Sequence, residues 1–86
     1  MKSNPTILKD GTKYWYLNDL LHREDGPAFE GAGGIKAWYI NGKFHREDGP
    51  AIEYAHGDKR WYYQGKLIDC KDNQEFLRII KLKMFL

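Results

Sequence analysis

The sequence predicts a mainly β fold, with three stacked antiparallel β-hairpins in an open, twisted sheet and one C-terminal α-helix as a cap. Three tryptophans and three glycines recur with a period of 23, namely Trp15, Trp38 and Trp61, and Gly11, Gly34 and Gly57. After Lys71 the apolar residues change from a period of two to a helical period. We therefore expect one domain over residues 1–86, with hairpin repeats at 6–68 and a capping helix at 72–84.

The repeat is nearly exact over its first two copies. Residues 12–34 and 35–57 share fourteen identities in 23 positions, and the heptapeptide His-Arg-Glu-Asp-Gly-Pro-Ala occurs at 22–28 and again at 45–51. A third copy begins at Asp58 and departs from the pattern at Ile68. Because such self-similarity is the signature of stacked supersecondary units, we expect both heptapeptides to take one backbone shape without sharing a cleft.

Each unit is predicted to be a strand, a two-residue turn and a strand. The three hairpins are residues 6–9 with 12–18, 28–32 with 35–41, and 51–55 with 58–64, joined by Asp10-Gly11, Gly33-Gly34 and His56-Gly57. A second turn is marked by Asn41-Gly42 and Gln64-Gly65, and a third by the Asp-Gly-Pro of each heptapeptide.

Alternation along the strands assigns two sheet faces. The tryptophan face is predicted to be buried and to carry Trp15, Leu17, Trp38, Ile40, Trp61 and Tyr63, together with Phe29 and Ile52. The tyrosine face is predicted to be wet and to carry Tyr14, Tyr16, Ala37, Tyr39, Arg60 and Tyr62, together with Glu30 and Glu53.

The C-terminal segment has the signals of an amphipathic helix. Asp72 is a good N-cap, Glu75 completes a capping box, and Phe76, Ile79, Ile80 and Lys83 follow helical spacing. One face is expected to cover the open end of the last repeat. More apolar residues are present than one packing stripe requires, so the rest can meet a partner or a second copy of the chain.

Composition narrows the function classes. The single cysteine, Cys70, cannot form an internal disulfide, no apolar run approaches the roughly 18 residues of a membrane span, and the formal charge is only +2. We therefore expect a cytoplasmic protein without stable membrane insertion. Neither the histidines nor Cys70 have zinc-binding spacing, and the His-Arg-Glu-Asp tetrad recurs, as structural residues do. We expect no enzyme activity, no catalytic residues, no metal and no cofactor.

Two sets of residues are candidates for binding. The set for a protein partner is Tyr14, Tyr16, Tyr39, Arg60 and Tyr62 on the sheet, with Phe76 and Ile80 on the helix. The alternative set, for single-stranded RNA or DNA, is Lys13, Lys36, Lys59, Arg60, Tyr16, Tyr39 and Tyr62, since aromatic rings stack bases and cations follow phosphates. A third option is an anionic membrane surface bound through Lys81, Lys83, Phe85 and Leu86.

The period of 23, the Trp-Tyr-x-Asn-Gly opening and the later hairpin glycine resemble MORN-type repeats over residues 6–68. The His-Arg-Glu-Asp-Gly-Pro-Ala form is similar to variant repeats of bacteria, bacteriophages and giant viruses. The resemblance implies stacked hairpins and a scaffolding or binding role. From it we expect a small phage or bacterial protein that binds a host protein and inhibits or adapts it, as in neutralising a toxin or immune enzyme.

Overall fold

In the part of the chain that the structure describes, ten short strands precede one helix. The computed structural model describes the backbone of residues 4–84 and the side chains of residues 4–82. The strands are β1 Asn4–Ile7, β2 Lys13–Leu17, β3 Leu20–Leu21, β4 Phe29–Glu30, β5 Lys36–Ala37, β6 Tyr39–Ile40, β7 Lys43–Phe44, β8 Ile52–Glu53, β9 Lys59–Tyr63 and β10 Lys66–Ile68, and the helix is α1 Asn73–Met84.

All strand pairs are antiparallel, and the sheet is open. Neighbours follow the order β1, β2, β4, β5, β8, β9 and β10, with β3 also beside β2, while β6 and β7 form a separate two-stranded sheet. The predicted hairpins are β1 with β2, β4 with β5, and β8 with β9. The predicted mainly β fold, with stacked hairpins and one C-terminal helix, is confirmed. Within residues 4–84, no helix has the length and apolar character needed to cross a membrane.

The turn of each hairpin is one residue longer than predicted. Leu8, Gly31 and Tyr54 each donate their backbone N–H to the carbonyl four residues on and accept from the glycine three residues on, at 2.8–3.0 Å. These bonds close a three-residue loop in which the last residue alone takes a positive φ, between 93° and 104° at Gly11, Gly34 and Gly57. Since the preceding position has an ordinary φ, Asp10, Gly33 and His56 are all tolerated there.

Because of the longer loop, two pairs of side chains lie on the opposite sheet face from the one predicted. Phe29 lies opposite Ala37, and Ile52 lies opposite both Ala37 and Arg60. Because directly paired residues share a face, Phe29 and Ile52 are on the tyrosine face, and their predicted place beside the tryptophans is wrong. A register shift of one residue moves every side chain of a strand to the opposite face, which is the effect of the extra loop residue.

The two glutamates move in the opposite direction and complete a row of alternating charge. Glu30 lies opposite Lys13 and Lys36, and Glu53 lies opposite Lys36 and Lys59. The predicted place of Glu30 and Glu53 on the tyrosine face is therefore wrong. We call this row on the tryptophan face, from Lys13 through to Lys59, the charge ladder. Opposite charges directly across a strand pair favour this register by at most roughly 0.2–1 kcal/mol, since the close ion pairs of Glu30 and Glu53 are with Arg23 and Arg46.

The second turn of every unit is a two-residue hairpin turn. Both central residues have positive φ at Asn18-Asp19 (52° and 65°), Asn41-Gly42 (51° and 79°) and Gln64-Gly65 (50° and 83°). This is the type I′ geometry, which matches the right-handed twist of the flanking strands. The first unit keeps the same turn although aspartate replaces glycine, because Asp tolerates the left-handed region better than most residues do.

Replacing Asp19 by glycine should stabilise the first unit. Glycine enters the left-handed region at no steric cost, and we expect the free energy of unfolding to rise by roughly 0.5–1 kcal/mol. Chemical denaturation monitored by tryptophan fluorescence measures this change. The matched variant is Gly42→Asp, which creates the same turn sequence in the second unit and should be destabilising. A loss of stability in Asp19→Gly would contradict the turn geometry.

The best-formed core lies where α1 meets the last repeat. Trp61, Ile68, Phe76 and Ile80 are buried together, with Tyr63, Cys70 and Ile79 packed around them. Asp72 Oδ1 accepts the Glu75 backbone N–H at 2.9 Å, and Glu75 Oε1 accepts the Lys71 backbone N–H at 3.0 Å, so the predicted N-cap is confirmed. The indole N–H of Trp61 donates to Asn73 Oδ1 at 2.8 Å and fixes the start of the helix over the tryptophan face.

Candidate partner-binding surface

An arginine from each heptapeptide covers the tryptophan of its own unit. Arg46 Nε donates to Asp48 Oδ1 at 3.0 Å, and its Nη1 donates to the Pro50 carbonyl at 3.0 Å and to Glu53 Oε2 at 2.9 Å. The guanidinium carbon lies 3.8 Å from the centre of the Trp38 ring. We call this arrangement the arginine clip. The heptapeptide is thus built to close a loop and shield one side of the sheet.

The first unit repeats the arginine clip bond for bond. Arg23 bonds Asp25, the Pro27 carbonyl and Glu30 at 3.0, 3.1 and 3.2 Å, and its guanidinium carbon lies 4.0 Å from the Trp15 ring. A Cβ atom on the glycine of either loop would lie 2.9 Å from the guanidinium carbon, so a larger residue there would displace the arginine from its position in the clip. The prediction that the two heptapeptides take one shape is supported by these matching bonds.

The histidines of the heptapeptides join neighbouring units. His22 Nδ1 accepts the backbone N–H of Asn41 at 3.0 Å, and His45 Nδ1 accepts that of Gln64 at 2.9 Å. A nitrogen that accepts carries no proton, so each ring is the tautomer protonated on Nε2. Each bond reaches the second turn of the next unit, 19 residues along the chain. These histidines therefore join adjacent units, a structural role of the kind predicted for the repeated tetrad, although the sequence did not indicate that their bonds cross between units.

Residues of both heptapeptides line one open groove of about 870 Å³, together with Trp38 and Ile40. The expectation that they share no cleft is wrong, because loops one repeat apart in a stack are neighbours in space. The arginines of this groove are engaged in the arginine clips. Among the described residues, no three His, Cys, Asp or Glu side chains converge on a point that could hold a metal ion.

The helix residues predicted to meet a partner are not accessible. Phe76 is fully buried and Ile80 is 6% exposed, both against Trp61 and Ile68. Their place in a partner site is therefore corrected to the cap of the repeat stack. The outward surface of α1 carries Leu77 and Leu82 instead, at 44% and 64% exposure. Of the predicted membrane contacts, Lys81 is exposed, whereas Phe85, Leu86 and the Lys83 side chain lie outside the described residues.

The tyrosine face carries an apolar cross-strand pair in each of the three units. Tyr39 lies opposite Phe44 with ring centres 4.5 Å apart, and Phe44 reaches Tyr62 of the next unit at 4.8 Å. The same cross-strand pair occurs as Tyr16 with Leu21 and as Tyr62 with Leu67. We call the row of Tyr16, Leu21, Tyr39, Phe44, Tyr62 and Leu67 the aromatic stripe. Its ends are the most open, since Tyr16 is 44% and Leu67 60% exposed.

The remaining predicted partner residues flank the aromatic stripe. Tyr14 lies on the same face and packs on Tyr16 and Phe29, with ring centres 6.1 and 5.0 Å away. Arg60 lies 5.9 Å from the ring of Tyr54. Of the strand residues within 4–84 that pairing places on this face, Arg60 alone is charged. The structure therefore brings Tyr14, Tyr16, Tyr39, Arg60 and Tyr62 onto one surface of low charge.

The lysines of the nucleic-acid hypothesis lie on the opposite side of the sheet. Lys13, Lys36 and Lys59 belong to the charge ladder on the tryptophan face, where each has a glutamate directly across. Successive strand residues point to opposite faces, so a base stacked on Tyr16, Tyr39 or Tyr62 would find none of these lysines beside it. The alternative set therefore does not form one surface, and this corrects the predicted stripe of alternating aromatic and basic residues.

Three of the six residues of the aromatic stripe were not predicted from the sequence. Leu21, Phe44 and Leu67 themselves recur with the period of 23, and each comes directly before the first position of a heptapeptide or of its degenerate third copy. Pairing across the two-residue turn fixes their face, because residues at equal distances from a type I′ turn lie opposite each other. The signal was thus present in the spacing, and combining it with the turn geometry would have found these residues.

Burial affects two ionisable groups near these surfaces. Desolvation raises the pKa of the Tyr39 phenol, and the neighbouring Tyr62 adds to the effect. Desolvation likewise raises the pKa of the Cys70 thiol, and the carboxylates of Glu75, Asp69 and Asp72 add to it. Tyr39 accordingly keeps its proton and can donate a hydrogen bond from the stripe. Cys70 is disfavoured as a thiolate, so it has the character of a packing residue.

Comparison of the chain with protein-family models, with curated proteins and with solved structures finds no match. The resemblance to MORN-type repeats therefore stays a prediction.

Proposed function

We propose that this chain is a non-enzymatic binding protein that attaches to a partner protein through the aromatic stripe. The observation that supports this most directly is the difference between the two sides of the sheet. Arginine clips and α1 cover the tryptophan face, whereas the tyrosine face buries Ala37 and Ile52 but leaves Tyr16 and Leu67 44% and 60% exposed. A contiguous apolar surface left open on a folded domain marks an interaction site.

The chemistry of the aromatic stripe favours a protein over a nucleic acid. Tyrosine is enriched at protein interfaces because its ring buries a large area while its hydroxyl forms hydrogen bonds. Binding to a phosphate backbone requires clustered cations, and only Arg60 supplies one among the described strand residues of this face. The expected contact on the partner is an apolar patch of low charge with acceptors for the phenol groups. In biological terms, the proposal is that a phage or bacterial chain binds a host protein and inhibits or adapts it.

Charge placed at the two ends of the aromatic stripe should abolish binding. In the double variant Tyr16→Lys with Leu67→Lys, two ammonium groups would be buried at the interface, and we expect affinity to fall at least 100-fold, or about 2.7 kcal/mol. The partner is first captured by the tagged chain from its own cells, with and without nuclease. It is then purified, and its dissociation constant for each variant is measured by calorimetry, after circular dichroism has confirmed folding.

The matched control is Leu77→Lys with Leu82→Lys, which places the same charges on the outward surface of α1. This variant should bind the partner like the unmodified chain. If the helix variant instead loses binding, the interface is α1. Sedimentation would then test whether two copies of the chain contact each other through this helix. If capture depends on nucleic acid and weakens steeply with salt, the nucleic-acid hypothesis replaces this one.

A further inference from the structure

Among the described residues, the outer edge of β9 has no paired strand at the position where the equivalent strands of the first two units have one. In the first two units the matching segments, Lys13 with Tyr14 and Lys36 with Ala37, pair with the first strand of the following hairpin. The repeat spacing would bring residues 74–76 to Lys59 and Arg60, but these residues belong to α1. Within residues 4–84, β9 pairs only with β8 and β10. A strand position beside Lys59 and Arg60, which are both exposed, is therefore unpaired in the described part of the chain.

Backbone polar groups point into this place. Trp15 and Trp38 donate their backbone N–H to the carbonyls of Ala28 and Ala51 at 2.8 and 2.7 Å, along the corresponding edge. Alternate residues of an antiparallel strand direct their polar groups to the same edge, so Lys59 and Trp61 face the open side. The Lys59 carbonyl accepts Arg60 Nη1 at 2.9 Å. The Arg60 side chain, which is 49% exposed, thus donates to a carbonyl that would otherwise accept a hydrogen bond from an added strand.

The charge ladder also stops at this edge. In the strand register Lys36 lies between Glu30 and Glu53. Lys59 has Glu53 on its inner side, while its outer side faces the open edge. A carboxylate placed there by another chain would continue the alternation, and no arginine clip would compete for it, because the third unit carries Asp69 where the first two carry Arg23 and Arg46.

We propose that the open edge of β9 binds an extended segment of a partner protein as an added antiparallel strand, with a carboxylate side chain opposite Lys59. The expected pattern is a small residue opposite Trp61, an apolar residue opposite Arg60, and then the acidic residue. The chain itself presents this pattern at the two equivalent edges, as Ala28-Phe29-Glu30 and Ala51-Ile52-Glu53. Strand addition gives affinity through main-chain bonds and specificity through alternate side chains.

A second copy of the chain fits this edge less well. Its first strand, β1, occupies the equivalent position in the repeat and would bring Ile7 opposite Lys59. An isoleucine offers the ammonium group no opposite charge, so the ladder would not continue. Charge complementarity therefore favours an acidic partner segment, and self-association becomes an outcome that the experiment distinguishes.

The test uses a peptide with the sequence of residues 48–55, blocked at both ends, as a stand-in for the partner segment. We expect it to slow amide hydrogen exchange at residues 59–61 of the full chain and to bind in the submillimolar range, which is measured by NMR titration. Replacing the peptide glutamate by lysine should weaken binding roughly 3- to 10-fold, through loss of attraction and gain of repulsion. Methylating the backbone nitrogen of that glutamate should remove binding, because the added strand loses a main-chain donor.

Two variants of the chain make the result specific. The Lys59→Gln variant should bind the glutamate and lysine peptides about equally, because it lacks the ammonium group that attracts the one side chain and repels the other. Tyr16→Lys with Leu67→Lys should bind the peptide normally, which separates this edge from the aromatic stripe. The proposal is overturned if 1 mM peptide gives no protection at residues 59–61, if the unmodified chain binds both peptides equally, or if protection arises without peptide as chain concentration rises.

Discussion

Replacing Phe76 by alanine is expected to lower the free energy of unfolding by about 3–5 kcal/mol, the cost typical of removing a large aromatic ring from a core. Phe76 is the largest side chain with no exposed surface, and it fills the contact between α1 and the last repeat. Natural domains have only about 5–15 kcal/mol of stability in total, so this variant should lose much of it. Urea denaturation, followed by tryptophan fluorescence and by circular dichroism, measures the loss.

Leu77 is the matched control, since it is the next residue of α1 and is 44% exposed. Leu77→Ala should cost less than about 1 kcal/mol, because little apolar area leaves the core. If the two variants were equally destabilised, α1 would not be docked on Trp61. Comparing the fluorescence and circular dichroism curves also tests whether α1 and the hairpins unfold together. If the helical signal disappears at lower urea than the tryptophan signal does, the cap unfolds separately from the hairpins.

The second large effect is expected at the arginine clips. In Arg46→Met the unbranched side chain can still lie against Trp38, but the donors to Glu53 and to the Pro50 carbonyl are lost. Hydrogen bonds to charged groups contribute about 1.5–3 kcal/mol, and an unpaired acceptor adds to the loss. Because the Arg46 side chain is 22% exposed, solvent compensates in part, and we expect a cost of about 2–3 kcal/mol.

Arg23→Met provides an internal comparison, since Arg23 bonds the same three kinds of acceptor as Arg46, at similar distances. The two variants should therefore differ by less than about 1 kcal/mol in unfolding free energy. Arg78→Met, at an exposed position of α1, should change stability by less than about 0.5 kcal/mol. A large effect at one clip and none at the other would mean that the two loops do not contribute equally to the stack.

The repeat made the hairpins and the cap predictable. Trp15, Trp38 and Trp61 fix the unit length, the hairpin glycines fix the chain reversals, and Asp72 marks the helix start within one residue. These signals are local, because a turn or a helix cap depends on residues that are neighbours in sequence. The burial of Phe76 was predicted wrongly, because the apolar spacing of α1 does not say which of its apolar residues face the last repeat and which face a partner.

The faces of the sheet were less predictable, for a physical reason. Gly33-Gly34 is compatible with both a two-residue and a three-residue loop, and the choice decides whether Phe29 lies with the tryptophans or the tyrosines. The separation of the lysines from the tyrosines follows from alternation alone and could have been found beforehand. The arginine clip could not, since Arg46 meets Trp38 and Glu53 only after the chain has folded back from the next strand.

The bonds from His22 and His45 reach only the adjoining unit, and so do the backbone bonds from Arg23 to Tyr39 and from Arg46 to Tyr62. A protein joined in this way tolerates changes in copy number, because an extra unit inserted between two others meets the same neighbours as before. Duplication or loss of one such stretch in the gene would lengthen or shorten the aromatic stripe by one tyrosine pair. The length of the binding surface can thus change by whole repeats during evolution without a change of fold.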